Sequence, residues 1–477
     1  MLIFRQIYDD DLAQAAYLVG DATSKTAVIV DPLRDVDVTL DLLADHGLTL
    51  VGVVETHIHA DFLSGGRELA RAADVPLYIS SHTVDGWHYS GLDGLEVVAL
   101  AQGEMISLDN VELTALHTPG HTPEHLSFLV RDREMSSQPS IVLTGDFVFA
   151  DDLGRPDLLE VAAGEMDTAE PGARELFDAV GERFLDLPDF VQVWPGHGAG
   201  SACGKSLGDV PATTVGYERR NAWWSPYLER GDKSAFVHEL LRDQPASPTY
   251  FRRMKILNRD GAPYLQGLPA LARLTPARLT ELVDDGAMIL DLRDVHAFAR
   301  GHLPGSINLS SRRKLSTYAG WAVPDDRPLV LACPSADLEE ATRKLLRIGL
   351  DDLAGFIPTE RWRQYLTGQP ARYPVITAPR AVHRLWTDEE IHIIDARSHA
   401  EFAAGHIPGA LHVHYGQVPE YLDDVPQDRT LAVHCEAGPR AALAASQLAA
   451  LGDRDVLLYT GGFGGWRDAG FPVTLAD

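Results

Sequence analysis

The sequence has few cysteines, an excess of acidic over basic residues and no long apolar runs, and each shortage excludes a class of protein. The three cysteines, Cys203, Cys333 and Cys435, are odd in number and far apart, so a disulfide framework is not expected. The 41 basic and 69 acidic residues give a formal net charge of −28. This charge argues against a nucleic-acid binder, which needs a basic face, and against docking on anionic lipid.

No apolar run reaches membrane-spanning length. The N-terminus alternates like a strand and lacks the basic start and apolar core of a signal peptide. We therefore expect a cytoplasmic protein with a solvated acidic surface and with thiols that are available for chemistry.

An internal repeat divides the second half of the chain. Residues 289–305 read ILDLRDVHAFARGHLPG, and residues 393–409, 104 positions later, read IIDARSHAEFAAGHIPG. Short apolar strands alternate with helical stretches in both copies, which is typical of α/β domains with parallel sheets. We predict two such domains, 271–371 and 374–477, joined by the linker TGQPARYPVITAPR and preceded by a different domain over 1–270.

In the first 270 residues, predicted strands end on loops that carry histidine or aspartate. Strands that feed polar loops at one edge are a common way to build a metal site. A single histidine is more often a packed or surface residue than a ligand, but six such residues beside glycines are hard to explain as packing. The candidates are His57, His59, Asp61, His121, Asp146 and His197.

The motifs THIHAD, TPGHT, TGD and PGHG, in this order, resemble those of the metallo-β-lactamase superfamily. The resemblance covers about residues 1–250 and implies a four-layer αββα sandwich with metal at one edge of the sheets. Di-zinc members continue the first motif with a further histidine, where this sequence has Phe62. A phenyl ring cannot donate a lone pair, so a second metal would lack a ligand.

The remaining ligands favour a single metal, one Fe(II) per chain. His57, His121 and Asp146 supply two imidazoles and one carboxylate, the ligand set of non-haem Fe(II) oxygenases. The resemblance to the persulfide dioxygenase branch of the superfamily implies the same three ligands. His59, Asp61 and His197 would then orient ligands or waters, or merely brace loops as remnants of a zinc site.

Arg155 and Asp157 match the Gly-Arg-x-Asp element of that branch. They would brace the site or bind an anionic substrate, and an ordinary surface ion pair is the alternative.

Cys435 begins the six-residue loop CEAGPR between a predicted strand and a predicted helix. Inward amide groups and the helix N-terminus would stabilise a thiolate or a persulfide anion there, and Arg440 would hold an anionic sulfur compound. CEAGPR and DARSHAEFAAGHIPGA together resemble an active rhodanese domain. The loop of the other copy, CPSADL at Cys333, lacks the glycine and the arginine, so we expect a degenerate rhodanese domain.

The segment GHGAGSACGK around Cys203, with the two rhodanese-like domains, resembles the fused persulfide dioxygenase–rhodanese proteins of the CstB type. This resemblance covers nearly the whole chain. It implies that Cys203 either takes part in catalysis near the iron, as a carrier of sulfane sulfur, or is a bystander thiol.

The implied function is sulfide detoxification. A low-molecular-weight persulfide of glutathione, coenzyme A or a similar thiol would be oxidised by O2 to sulfite and free thiol. Cys435 would then transfer sulfane sulfur to sulfite, giving thiosulfate. The alternatives are a mono-zinc thioester hydrolase of the glyoxalase II type fused to sulfurtransferase domains, and a non-catalytic sulfur-carrier scaffold. Nucleic acid and membrane are not expected partners, and a homo-oligomer is compatible with the sequence.

Overall fold

A computed structural model describes the chain in two compact units. The first comprises Met1–Leu268 and Leu346–Gly349, and the second comprises Pro269–Leu345 and Leu350–Asp477. The structure describes residues 1–84, 86–160, 164, 167–205, 207–452 and 454–475. The last two residues of the predicted third domain, 476 and 477, lie outside the described residues.

The first unit contains two six-stranded sheets. The first sheet has strands in sequence order: β1 (Leu2–Asp9), β2 (Gln14–Asp21), β3 (Thr26–Val30), β4 (Thr49–Val54), β5 (Leu77–Ser80) and β6 (Val97–Leu100). The second sheet contains β7 (Met105–Leu108), β8 (Val111–His117), β9 (Leu126–Asp132), β10 (Ile141–Gly145), β11 (Gln192–Pro195) and β12 (Thr213–Thr214). Its spatial order is β12-β11-β10-β9-β8-β7.

Within the described residues, seven α-helices accompany the two sheets. They are α1 (Val36–Asp45), α2 (Gly66–Ala73), α3 (Ala169–Ala179), α4 (Val215–Asn221), α5 (Ser225–Arg230), α6 (Lys233–Leu241) and α7 (Phe251–Asp260). Val28 and Phe128 share a core between the sheets. Leu69 of α2 packs outside the first sheet, and Leu176 of α3 packs outside the second. This confirms the αββα sandwich.

The strand directions bring the polar loops of the second sheet to one edge. β8 and β10 each run antiparallel to β9, and β11 runs parallel to β10, so the carboxyl ends of β8, β10 and β11 lie at the same edge. The loops that hold His121, Asp146 and His197 follow these strand ends. The loop that holds His57 follows β4 of the first sheet.

Two parallel sheets form the second unit, which confirms the predicted parallel α/β architecture. The strands are β13 (Met288–Asp291), β14 (Ile307–Asn308), β15 (Leu329–Cys333), β16 (Leu353–Pro358), β17 (Val375–Ile376), β18 (Ile391–Asp395), β19 (Leu411–His412), β20 (Thr430–His434) and β21 (Val456–Tyr459). The first sheet has the order β14-β13-β15-β16, and the second has the order β17-β21-β20-β18-β19. The helices are α8 (Pro276–Asp284), α9 (Val295–Arg300), α10 (Leu315–Ala322), α11 (Leu338–Leu346), α12 (Pro379–Thr387), α13 (His399–Ala403), α14 (Pro439–Gly452) and α15 (Gly462–Asp468).

The sequence repeat is also a repeat of side-chain contacts. In the first copy, Arg293 Nη2 lies 2.5 Å from Asp291 Oδ2 and donates to the Gly301 carbonyl at 3.1 Å. The second copy has the same contacts at 2.6 and 2.7 Å. The equivalent residues there are Asp395, Arg397 and Gly405. Much of the repeated motif therefore holds a loop and a helix in place, and its presence does not by itself indicate catalysis.

The predicted linker TGQPARYPVITAPR is partly structured. Val375–Ile376 forms β17 and pairs with β21, and α12 begins at Pro379. Ala371 and His302 exchange backbone hydrogen bonds of 3.0 and 3.1 Å. Across the described part of the chain, no helix combines the length and apolar character needed to cross a bilayer.

Candidate functional site

The three predicted metal ligands lie together at the sheet edge. His57 Nε2 and His121 Nε2 lie 3.8 and 3.6 Å from Asp146 Oδ2, and all three side chains are buried. These nitrogens and both Asp146 oxygens have no hydrogen-bond partner among the described residues. Buried lone pairs without donors are costly unless a cation satisfies them, so this set fits a bound metal ion.

Neighbouring groups orient both imidazoles with Nε2 towards Asp146. Thr56 Oγ1 donates to Asp31 at 2.8 Å, so it accepts from His57 Nδ1 at 2.9 Å. His121 Nδ1 donates to the Arg155 carbonyl at 2.9 Å. Burial lowers the pKa of both histidines well below its usual value. Neutral rings with Nδ1 occupied present Nε2 lone pairs, as metal ligands require.

His59 faces away from this set. Its Nε2 lies 3.2 Å from Asp31 Oδ1 and 3.5 Å from Glu55 Oε2. Burial alone would lower the pKa of His59, but these two carboxylates outweigh burial and raise it well above the usual value. Its ring packs against that of Phe62, with centroids 4.5 Å apart. His59 therefore braces the loop with an ionic contact, and the buried Phe62 fills the adjacent space with hydrocarbon.

Asp61, His197 and Cys203 form a second group of candidate donors, whose ligand atoms lie within 4.8 Å of one another. His197 Nε2 lies 3.3 Å from Asp61 Oδ2 and 3.3 Å from Asp146 Oδ1. Asp146 thus faces both groups, one with each oxygen. Burial, and then the charges of Asp146 and Asp61, raise the pKa of the Cys203 thiol well above its usual value.

Arg155 and Asp157 brace the loops of the site from within. The Arg155 guanidinium is buried and bonds to both Asp157 oxygens, at 3.1 and 2.6 Å. It also donates to the Ala202 carbonyl at 3.0 Å, next to Cys203, while its own carbonyl holds His121. The arrangement is therefore a buried bidentate pair rather than a surface ion pair.

Sequence reasoning missed His125, which positions the Asp146 backbone. Asp146 N donates to His125 Nε2 at 3.1 Å, and His125 Nδ1 lies 2.9 Å from Thr118 Oγ1. Burial lowers the pKa of His125 to about 3. The available signal was the end of the stretch TPGHTPEH, where a second histidine follows His121 by four residues.

Asn258 of α7 was also missed, and it clamps the first metal loop. Its Nδ2 donates to the His59 and Phe62 carbonyls at 2.9 and 2.7 Å. Its Oδ1 accepts from Ser64 N at 2.9 Å. Because Asn258 lies about 200 residues from this loop in the chain, no local motif indicates the contact.

The Cys435 loop has the geometry of an anion cradle. Cys435 follows β20, and the Gly438 amide donates to its Sγ at 3.1 Å. Gly438 has φ +108°, a conformation that favours glycine. α14 begins at Pro439 and directs its N-terminus at the loop. An amide donor together with a helix N-terminus favours negative charge on sulfur.

Arg440 lies at the start of α14 and is paired with Glu401. Its Nη1 and Nη2 lie 2.5 and 2.8 Å from the Glu401 oxygens. Glu401 also belongs to the capping box of α13, where it accepts from Ser398 N at 3.0 Å. Burial would raise the pKa of Glu401, but Arg440 and the Ser398 amide lower it to about 2. The pair fixes the guanidinium beside the cysteine loop.

The loop at Cys333 is built differently. Pro334 supplies no amide donor, and the Ser335 amide donates to Glu360 Oε1 at 3.1 Å. Burial, and then the charges of Asp337 and Glu360, raise the pKa of Cys333 to about 12. The cysteine therefore stays protonated at neutral pH.

The domain that carries Cys333 packs against the helix that follows Cys435. The Asn308 amide donates to Ser446 Oγ of α14 at 2.9 Å. The Trp321 ring lies 4.6 Å from that of His414, and a side chain on Gly416 would come within 2.6 Å of Trp321. The first of these domains thus supports the second.

Comparisons with known proteins match these domains. The family model described as metallo-beta-lactamase superfamily matches residues 9–197, and the rhodanese-like domain model matches residues 275–358 and 378–469. A solved metallo-beta-lactamase from Staphylococcus aureus subsp. aureus COL is 34% identical with a TM-score of 0.66, and the match covers 75% of this chain and 99% of that one.

Two curated relatives differ in the chemistry that their names state. The mitochondrial persulfide dioxygenase ETHE1 of Bos taurus is 26% identical over 41% of this chain and 68% of its own length. The probable polyketide biosynthesis zinc-dependent hydrolase BaeB of Bacillus velezensis is 25% identical over 40% of this chain and 76% of its own length.

Replacing Asn258 by alanine should weaken metal binding, because the loop between His57 and Ser64 loses three hydrogen bonds. We expect metal affinity to fall roughly 10- to 100-fold, as for other supporting residues of metal sites. Metal retained after dialysis against a graded chelator measures this change. Asn221→Ala, which removes an exposed bond to the Tyr217 carbonyl, is the matched control. Equal retention in both variants would contradict the role of Asn258 as a clamp.

Exposure to thiosulfate should load one sulfur atom onto the chain at Cys435 and none at Cys333. The first cysteine has an amide donor at its sulfur, whereas the thiol of the second stays protonated. Intact-mass spectrometry should find the added sulfur in the unaltered protein and in Cys333→Ser, but not in Cys435→Ser. Loss of the added sulfur in Cys333→Ser would refute this assignment.

Proposed function

Because the chain belongs to the metallo-β-lactamase superfamily and joins such a domain to two rhodanese-like domains, we propose that it oxidises a low-molecular-weight persulfide and then makes thiosulfate. The observation that carries the proposal is the buried group of His57, His121 and Asp146 with unpartnered donor atoms. Two imidazoles and one carboxylate suit a mononuclear non-haem Fe(II). Phe62 stands where di-zinc members have a further histidine and cannot donate a lone pair, which supports one iron per chain.

The persulfide dioxygenase relative supports the choice of substrate class. The reaction is RSSH + O2 + H2O → RSH + SO3²⁻ + 2H⁺. The sulfane sulfur loses four electrons, and dioxygen accepts them. His57, His121 and Asp146 would hold the iron ion, which would supply the chemistry of dioxygen activation and electron transfer.

The residues around these ligands hold the site in shape. Thr56 and the Arg155 carbonyl keep Nε2 of the two histidines available, and His125 holds the Asp146 backbone. Asp61 and His197 lie on the other side of Asp146 and orient it. Burial of the whole group excludes bulk water from the reacting sulfur.

Cys203, beside Asp61 and His197, is assigned to contact with the substrate. Its thiol is buried, and burial with the neighbouring carboxylates raises its pKa, so it remains protonated. A protonated thiol is a weak hydrogen-bond donor to anionic sulfur and a poor nucleophile. This supports a role in contacting the persulfide rather than in carrying sulfane sulfur.

The rhodanese-like domain at the C-terminus then transfers sulfur. Cys435 takes the sulfane sulfur of a second persulfide and releases the thiol. Sulfite attacks that sulfur, so that RSSH + SO3²⁻ → RSH + S2O3²⁻ overall. The Gly438 amide stabilises the sulfur anion, and Arg440 attracts the incoming sulfite. Tethering the two activities raises the concentration of sulfite near Cys435.

Glutathione, coenzyme A or a similar thiol is the proposed carrier. The three free cysteines support a reducing compartment, the cytoplasm. The overall outcome would be sulfide detoxification.

A mono-zinc hydrolase remains the competing function, because one relative is named as a zinc-dependent hydrolase. Metal analysis and an oxygen electrode separate the two. The dioxygenase should hold about one iron per chain and consume oxygen only when a persulfide such as glutathione persulfide is added. Asp146→Ala should abolish this uptake while thiosulfate-dependent sulfur loading of Cys435 continues. Zinc occupancy without persulfide-dependent oxygen uptake would exclude the dioxygenase.

Replacing Cys435 by serine should change the product rather than stop the oxidation. With persulfide and oxygen supplied, we expect oxygen uptake to continue and sulfite to accumulate in place of thiosulfate. Ion chromatography of the products measures both anions, and Cys333→Ser serves as the control. An unchanged thiosulfate yield in Cys435→Ser would remove Cys435 from the pathway.

A further inference from the structure

Lys255 is a buried cation that the proposed chemistry leaves without a role. It lies on α7, three residues before Asn258, and is 1% exposed. Its Nζ has no hydrogen-bond partner within the described part of the chain. It lies 5.0 Å from the centroid of the Trp87 ring. An ammonium group buried without hydrogen bonds is costly, so its retention calls for an anion.

A chain of contacts connects Lys255 to the metal loop. Trp87 Nε1 donates to Glu124 Oε2 at 2.6 Å. Glu124 Oε1 accepts from the Ile58 amide at 2.8 Å, between the two histidines of the first motif. Lys255 Nζ donates to neither Glu124 oxygen, so its three N–H groups remain available to a ligand.

The contacts of Trp87 bring the ammonium group near the first metal loop, because Trp87 packs in one cluster with Ile58, the residue after His57. The positive charge of Lys255 lowers the pKa of both His57 and His121, and the negative charges of Asp146 and Asp61 raise the pKa of Lys255. Burial lowers the pKa of Lys255 to about 8, with Glu124 opposing the shift, so the group is mostly protonated at neutral pH. Trp87, Ile58 and Leu159 form a small apolar cluster nearby, and this low-dielectric wall strengthens attraction for an anion.

We propose that Lys255, held on the face of Trp87, forms an anion subsite that binds the sulfur oxyanion produced at the neighbouring metal donors. The assignment rests on the proposed function for the identity of the anion, sulfite. The carboxylate of a thiol carrier has similar chemistry. The proximity of Lys255 to the metal ligands favours the oxyanion, because that product forms at the ligands whereas a carrier carboxylate is remote from the reacting sulfur.

Equilibrium binding of sulfite tests the subsite without turnover. The full chain with Cys435→Ser, loaded with Fe(II) under anaerobic conditions, is titrated with sulfite by calorimetry. Adding Lys255→Gln should weaken sulfite binding roughly 10- to 100-fold, the usual effect of removing a charged hydrogen bond. Lys255→Arg, which keeps the charge, should recover part of the affinity.

Lys233→Gln is the matched control, because Lys233 also lies over an aromatic ring, Phe177, but pairs with Asp178 at the surface. It should leave sulfite affinity unchanged. Thermal melts of all variants confirm that they fold, and Lys255→Met provides a second neutral variant if the glutamine disturbs packing.

Parallel titrations with reduced glutathione distinguish the source of the anion. If Lys255→Gln weakens glutathione but not sulfite binding, Lys255 recognises the carrier and the proposal is wrong. If Lys255→Gln and Lys233→Gln weaken sulfite binding equally, only overall charge matters and the subsite is refuted. Absence of oxygen uptake by the unaltered protein would instead refute the proposed function, and the sulfite titration would still report on Lys255.

Discussion

The candidate metal site depends on buried lone pairs that the protein leaves without a proton donor. His57, His121 and Asp146 direct their Nε2 and carboxylate atoms at one point, and surrounding groups occupy the opposite side of each ring. Removing such atoms from water without compensation is unfavourable, so the arrangement fits a cation bound at its centre. The bracing contacts of Arg155, His125 and Asn258 all serve to maintain this convergence.

Three of the four motifs, THIHAD, TPGHT and TGD, contain the three side chains that the structure brings together, and the order of all four along the chain was sufficient to predict the fold. The loops of His121 and Asp146 follow strand ends, as the sequence pattern predicted, and the resemblance to the metallo-β-lactamase superfamily implied that such loops meet at one edge of the sandwich. What the sequence did not predict comes from distant parts of the chain. Asn258 and Lys255 lie on a helix with ordinary amphipathic character, and nothing local distinguishes a residue that clamps a loop from one on a solvated face.

The two copies of the repeat show that a shared motif does not imply the same cysteine loop. The arginine–aspartate contacts of both copies are nearly the same, although the cysteine loops differ in chemistry. In the Cys333 loop, Pro334 has no N–H group and the Ser335 amide donates to Glu360 instead of to the sulfur. This difference is sufficient to change the loop, because the stabilisation of a sulfur anion depends on a few backbone N–H groups that point inward, as Gly438 does at Cys435. The sequence did not predict β17 within the linker stretch, because a two-residue strand is too short to show a periodic pattern and only its pairing with β21 identifies it.

The contact of Trp321 with Gly416 has a consequence for how this protein can change over evolutionary time. The domain that carries Cys333 supplies a side chain that fills the space above a glycine of its neighbour, and its backbone binds α14 through Ser446. Deletion of that domain would uncover apolar surface and release the helix that carries Arg440. A substitution that removes either contact in one domain would therefore affect the other, so the two domains are constrained to change together.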